Sequence, residues 1–174
     1  MRLERERADT HEWARLYDDG IRQVYSYLRH RCGNEALAQD LTSETFLTAA
    51  RTAATGGAVP SMAWLITVAR NKLIDHLRRA AVEESALRVV STTASDSIEP
   101  DGAMFERGRA METLYRLAHQ HRAVLTLRYL DGLSLAETAR LLNRTEQAAQ
   151  ALLARAKAEF RQRYDPSRED AVDA

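Results

Sequence analysis

The chain has 174 residues, 45% hydrophobic and 29% charged, with 25 cationic and 25 acidic side chains. This is the composition of a folded globular protein with room for one medium domain or two small ones. Seven Gly and three Pro are few for a sandwich or barrel, the single Cys32 excludes an internal disulfide framework or cysteine-based zinc site, and no run reaches the ~18 apolar residues that span a bilayer. A lone thiol fits a reducing compartment, and Met1 to Arg7 is charged and leads into no apolar stretch, so a cytoplasmic protein is expected. Abundant Ala, Leu, Arg and Glu favour helix throughout. The zero net charge conceals an uneven placement. Residues 113–164 hold 9 Lys plus Arg against 4 Asp plus Glu, whereas 81–112 hold 3 against 7 and 165–174 hold 1 against 4. A basic block between an acidic segment and an acidic tail hints at an anionic partner.

Thr10 to Arg31 has helical apolar spacing at Trp13, Leu16, Tyr17, Ile21, Val24, Tyr25 and Leu28, and Gly33-Asn34 ends it. A second helix is expected from Asn34, its N-cap, to Ala53, with Ala36, Leu37, Leu41, Phe46 and Leu47 available for burial. Thr55-Gly56-Gly57-Ala58-Val59-Pro60 is a loop of strong breakers. A third helix follows, capped by Ser61. Its apolar side is Trp64, Leu65, Val68, Ala69, Leu73 and Leu77, and its polar side carries Arg70, Asn71, Lys72, Asp75, Arg78 and Arg79.

Residues 81–109 open as a small, polar, acidic stretch and are expected to be a flexible linker, with helical periodicity resuming near Met104 and running to about Ala118. Arg122 to Leu130 is expected to be helical, and Asp131-Gly132 to turn. Ser134 and Glu137 form a capping box at the start of a short helix, 135–142. Asn143-Arg144-Thr145 is a second turn, and a last helix runs from Glu146 to about Arg163.

Three constellations carry chemistry. The first is a capped two-turn helix, a three-residue turn and a longer helix, which is a helix-turn-helix pattern. Ala149, Leu153, Ala156 and Phe160 would line its inner side. Glu146, Gln147, Gln150 and Ala154 would point outward, where Gln can read adenine in a major groove. Arg144, Arg155 and Lys157 are candidate phosphate contacts. The second is the basic helix after the Gly-rich loop, which suits melted or single-stranded DNA, although Trp64 reads as core and not as a stacking platform. The third is Asp40 and Glu44, four apart on one helix face. No third ligand or His stands at matching spacing, so a protein-docking face is expected there rather than metal or acid–base chemistry. His119 and His121 are two apart, as are His30 and Cys32, and neither pair shares a face. No metal, cofactor or catalytic group is expected.

Taken in order, these segments resemble the extracytoplasmic-function sigma factors, the sigma-70-type initiation factors that keep only regions two and four. Asp40-Leu41-Thr42-Ser43-Glu44-Thr45-Phe46-Leu47 is similar to the family's polymerase-docking helix. Trp64-Leu65 through Arg70-Asn71, with Asp75 to Arg79, is similar to its −10 helix. Leu125 to Tyr129, Gly132-Leu133-Ser134 and Glu137-Thr138-Ala139, with Arg155-Ala156 at the end, are similar to region four.

The resemblance implies an all-α protein of two small helical domains. Region two, a three-helix bundle over 10–80, joins through the linker 81–109 to a region-four helix-turn-helix over 110–164, with an acidic tail, 165–174. It implies no enzyme activity. It implies docking on the β′ clamp and β flap of core RNA polymerase, with Asp40, Leu41, Glu44 and Phe46 as clamp contacts. It implies −10 contacts by Arg70, Asn71, Lys72, Asp75, Arg78 and Arg79, with the loop 52–59 holding a flipped base. It implies −35 contacts by Arg144, Thr145, Gln147, Gln150 and Arg155. An anti-sigma factor is the further implied partner, and no membrane contact is expected.

The chain departs from the family pattern at Ser43, usually Gln, and Ala118, commonly Pro. Gln147, Ala149, Gln150 and Leu152 stand in place of Gly, Val, Lys and Arg. Two cations are thus expected to be missing from the DNA-facing helix, and −35 binding to be weaker and less salt-sensitive. The competing readings are a helix-turn-helix regulator that does not dock on polymerase and a helical protein-binding adaptor.

Overall fold

The structure, a computed structural model, describes residues 2–55, 60–86 and 102–164. The breaker loop at 56–59, the middle of the expected linker at 87–101, the acidic tail and the expected core role of the Trp13 side chain lie outside the described residues. Among those described there are seven α-helices, one π-helical turn and no strand, so the chain is all-α. The helices are α1 (Arg2–Cys32), α2 (Glu35–Ala54), α3 (Met62–Ala86), α4 (Gly102–Tyr115), α5 (His119–Leu125), α6 (Leu135–Leu141) and α7 (Glu146–Tyr164), with the π turn at Thr126–Leu130. None is long and apolar enough to cross a membrane. Contacts divide the chain into two compact units, Met1–Leu73 and Ile74–Ala174, and the division falls inside α3.

In the first unit, α1 ends on Gly33 at φ +67°, and Asn34 caps α2 by accepting from the Leu37 N–H at 2.9 Å. The Ser61 hydroxyl accepts from the Trp64 N–H at 3.2 Å and starts α3. Val24 and Leu28 of α1, Leu41, Phe46 and Ala49 of α2, and Leu65, Ala69 and Leu73 of α3 are buried and form the core. Thr42 and Thr45 are buried with them. Each hides its hydroxyl by donating to the carbonyl four residues back, Ala38 and Leu41, at 2.7 Å. The three helices meet at Gly20. A Cβ there would lie 3.1 Å from the Met62 terminal methyl, 3.2 Å from Phe46 Cζ and 3.4 Å from Leu65 Cδ1. Tyr17, one turn earlier, meets the Phe46 ring edge-on at 5.2 Å.

In the second unit, α7 is the central element, packed by α4, α5 and α6. Leu114, Leu117, Val124, Leu127, Ala139, Leu142, Ala149, Leu152 and Ala156 are its core. Arg109 donates to the Tyr164 carbonyl at 3.2 Å, and Arg163 to the Arg116 carbonyl at 2.7 Å, which ties the middle and the C-terminal end of α4 to the end of α7.

Elements differ from expectation in four places, the first being that α1 begins at Arg2 and not at Thr10. α3 continues to Ala86, six residues into the segment expected to be linker, and α4 begins at Gly102. Ala80, Ala81, Glu83 and Glu84 are adequate helix formers, and their acidic, small character did not interrupt the helix. The expected helix 122–130 begins earlier, at His119, and widens into a π turn in which the Asp131 N–H donates to the Thr126 carbonyl at 3.0 Å.

Gly20→Val adds two methyl groups beyond the crowded Cβ and should overpack the crossing. Urea unfolding is expected to show a loss of about 1–3 kcal/mol, with a much smaller change for Gly20→Ala. Equal stability of Val and wild type would mean the three helices do not meet there.

Candidate functional site

The helical period of α2 divides its residues sharply. Ala38, Leu41, Thr42, Thr45, Phe46 and Ala49 face the core, whereas Asp40, Ser43, Glu44 and Leu47 are exposed along the opposite side. Two of the four residues expected at a polymerase contact, Leu41 and Phe46, are therefore core residues, and Asp40 and Glu44 are the ones that face solvent. Leu47 was expected to be buried and instead is 51% exposed. It follows Glu44 by three residues and so lies beside the two carboxylates. Its spacing from Asp40 and Glu44 carried this signal, which its hydrophobicity obscured. Asp40, Glu44 and Leu47 make a mixed acidic and apolar strip suited to a partner helix or sheet edge carrying cations.

On α3, Asn71, Asp75, Arg78 and Arg79 are exposed, and Arg70 and Lys72 are half-buried. Trp64, expected in the core, is also half-buried. The cations are not all open. Lys72 Nζ lies 3.2 Å from Glu44 Oε2 on α2, and Arg78 bridges Asp75 at 3.2 Å. The second pair is local, three residues apart on one helix, whereas the first joins α2 to α3.

The helix-turn-helix is built by local chemistry. Ser134 Oγ accepts from the Glu137 N–H at 3.2 Å, while Glu137 Oε2 accepts from the Ser134 N–H at 2.8 Å, completing the capping box. The Arg128 guanidinium donates to the Leu133 carbonyl and holds the preceding turn. α6 ends in a Schellman motif: Asn143 sits at φ 52°, its N–H donates to the Arg140 carbonyl, and the Arg144 N–H donates to the Ala139 carbonyl at 2.9 Å. Thr145 Oγ1 accepts from the Ala148 N–H at 3.2 Å and opens α7.

All five residues expected at −35 DNA are exposed: Arg144, Thr145, Gln147, Gln150 and Arg155. Arg144 donates to Gln120 at 3.4 Å and Arg155 to the Ala151 carbonyl at 3.4 Å, both weak tethers. Leu152 corrects one expectation. It is 1% exposed, inside the core, so no cation is missing from the outer face at that position. Only Gln150 stands as a lost cation on the exposed side.

The two histidines near α5 diverge as their spacing requires. His121 bonds Glu159, whereas His119 pairs with Glu84 at 3.1 Å and also donates its backbone N–H to that carboxylate. Burial pushes the Glu84 carboxyl up, but the hydrogen bonds from His119 outweigh it and leave it below the ordinary value. His76 lies below its ordinary 6.5, first through burial and then through the charges of His119, Arg79 and Arg122, with Glu83 opposing.

Comparisons with known proteins identify the family. The Sigma-70 region 2 family matches residues 16–82, and the Sigma-70, region 4 family matches 107–160. The ECF RNA polymerase sigma factor BldN of Streptomyces coelicolor is 37% identical over 150 residues, covering 83% of this chain and 57% of that protein. The ECF RNA polymerase sigma factor SigL of Mycobacterium tuberculosis is 33% identical over 128 residues, covering 71% of this chain and 72% of that protein. Among solved structures, the sigma factor RpoE of Bartonella quintana, crystallised with the anti-sigma factor NepR, shares the fold. Its TM-score is 0.54 at 14% identity, over 89% of this chain and 98% of that one. The chain belongs to the extracytoplasmic-function sigma factors of the sigma-70 family.

The folded-state pKa of His76 is lowered, so the unfolded chain takes up its proton first as pH falls. Its contribution is complete above pH 6.5 and is lost as pH drops from 6.5 toward the folded value. Urea midpoints are expected to decline over that window in the wild type and to decline less in His76→Gln. An identical pH dependence in the variant would contradict the assignment.

Proposed function

We propose that this chain directs promoter-specific transcription initiation as a non-catalytic subunit of RNA polymerase, acting in the cytoplasm. The observation that carries the reading is the divided surface of α2, whose core-facing half fixes Asp40, Glu44 and Leu47 on the outside. Asp40 and Glu44 are the proposed contacts to the β′ clamp of core polymerase, with Leu41 and Phe46 acting beneath them as packing that sets their positions. Arg70, Asn71, Lys72, Asp75, Arg78 and Arg79 of α3 form the proposed −10 surface, where the strand is captured as the duplex melts, with the loop 52–59 holding a flipped base. Arg144, Thr145, Gln147, Gln150 and Arg155 form the proposed −35 surface, and region four also contacts the β flap.

The proposed domains are region two over 10–80 and region four over 110–164, joined by 81–109 and followed by the acidic tail 165–174. An anti-sigma factor is a further proposed partner. Two family matches in this order disfavour both a free helix-turn-helix regulator and an adaptor without DNA.

Charge reversal tests the docking face. Asp40→Arg with Glu44→Arg replaces exposed side chains and, with the Glu44–Lys72 bridge lost, should leave urea stability within about 1 kcal/mol of wild type. Affinity for purified core polymerase should fall at least tenfold, as expected where like charges are forced together. Undiminished core binding would remove α2 as the docking helix.

The −35 face has its own test. Restoring a cation with Gln150→Lys should steepen the salt dependence of binding to a −35 duplex by about 0.9 in log–log slope, the value for one added phosphate contact. An unchanged slope would take position 150 off the DNA.

A further inference from the structure

An ion pair between α2 and α3 links residues with different proposed partners. Glu44 lies on the exposed docking strip of α2, with its side chain 58% exposed. Lys72 lies on the strand-binding side of α3 and is 25% exposed, its ammonium held at 3.2 Å by that carboxylate. The bridge is not needed to hold the helices together. Phe46, Leu65, Ala69 and Leu73 are buried in the core of the unit, and an exposed bridge contributes far less than such a core. Its effect is instead on the availability of its two members. A lysine paired with a carboxylate gains little by moving to a phosphate, because it must give up one anion for another. A carboxylate drawn to a cationic partner surface gives up its lysine.

We propose that Glu44 and Lys72 form an exchange switch. In the free protein Glu44 holds Lys72 away from nucleic acid. Docking of the α2 strip on polymerase takes Glu44 and releases Lys72 to a phosphate of the unwound −10 strand. The switch rests on the docking and −10 assignments made above, and adds that the two are energetically coupled through one side-chain pair. By reciprocity, capture of the strand by Lys72 frees Glu44 and tightens docking by the same factor. Asp40, exposed on the same face one turn earlier, supplies the control for a general loss of negative charge.

The test measures binding of a fluorescent single-stranded −10 oligonucleotide to the full-length chain, free and saturated with core polymerase, across a salt series. For the free chain, Glu44→Gln should tighten binding about two- to fivefold, the range for breaking one exposed bridge. It should also steepen the log–log salt slope by about 0.7, the value for one further phosphate contact on a single strand. Asp40→Asn should change the slope by much less, and Glu44→Gln combined with Lys72→Gln should show no gain over Lys72→Gln alone. With saturating core, wild type and Glu44→Gln should bind alike, because Lys72 is free in both. Lys72→Gln should then bind more weakly than either.

If Glu44→Gln leaves the free chain's affinity and slope at wild-type values while Lys72→Gln weakens the core-bound complex, the switch is wrong and the −10 assignment survives. If Lys72→Gln has no effect even with core bound, Lys72 does not touch the strand, and both that assignment and the switch fall. Equal gains from Asp40→Asn and Glu44→Gln reduce the effect to overall charge and overturn the proposal.

Discussion

The first unit depends on one constraint, the closeness with which α1 crosses α2 and α3 at Gly20. With no side chain at that position, Phe46 and Met62 approach to near contact with the α1 backbone. Phe46 in that place fixes the rotation of α2 about its axis. Once the rotation is fixed, a period of 3.6 residues leaves no choice for the rest. Residues 38, 41, 42, 45 and 49 turn inward, and 40, 43, 44 and 47 turn outward. The proposed polymerase contacts are thus consequences of core packing. In the proposed docking, Leu41 and Phe46 act only by holding Asp40 and Glu44 on the exposed side of α2.

The second unit is organised differently. Its α6 is short and is defined chiefly by its ends: a capping box at Ser134 and Glu137, and a Schellman turn at Asn143. Each satisfies backbone groups that a helix of seven residues cannot satisfy internally. The turn sets the start of α7, and burial of Ala149, Leu152, Leu153 and Ala156 sets its rotation. Gln147, Gln150 and Arg155 are exposed for that reason. A face with two glutamines, several alanines and one arginine can read base edges but draws little from phosphate attraction, which places the greater share of proposed promoter affinity on α3.

Features governed by neighbours in sequence were legible. Asn34, Ser61, Ser134 with Glu137, Asn143 and Thr145 are local signals, and each stands where a cap or turn forms. Features governed by packing were not. Leu47 looked like core because it is leucine, yet the rotation imposed by Phe46 turns it out. Leu152 looked like a substituted DNA contact, yet it fills the space between α7 and the rest of its unit. The π turn after α5 inserts one residue per turn, which no hydrophobic period announces. The bridge between Glu44 and Lys72 spans 28 positions and forms only once folding brings α2 and α3 together.

The central claim is that this chain converts core polymerase into a promoter-specific initiator. Run-off transcription from a linear duplex promoter, with purified core polymerase and this chain as the only added factor, tests it most directly. A discrete product is expected that requires the chain and is lost when the −10 sequence is scrambled. A chain that binds core yet yields no promoter-dependent product on any promoter from a randomised −10 library would contradict it.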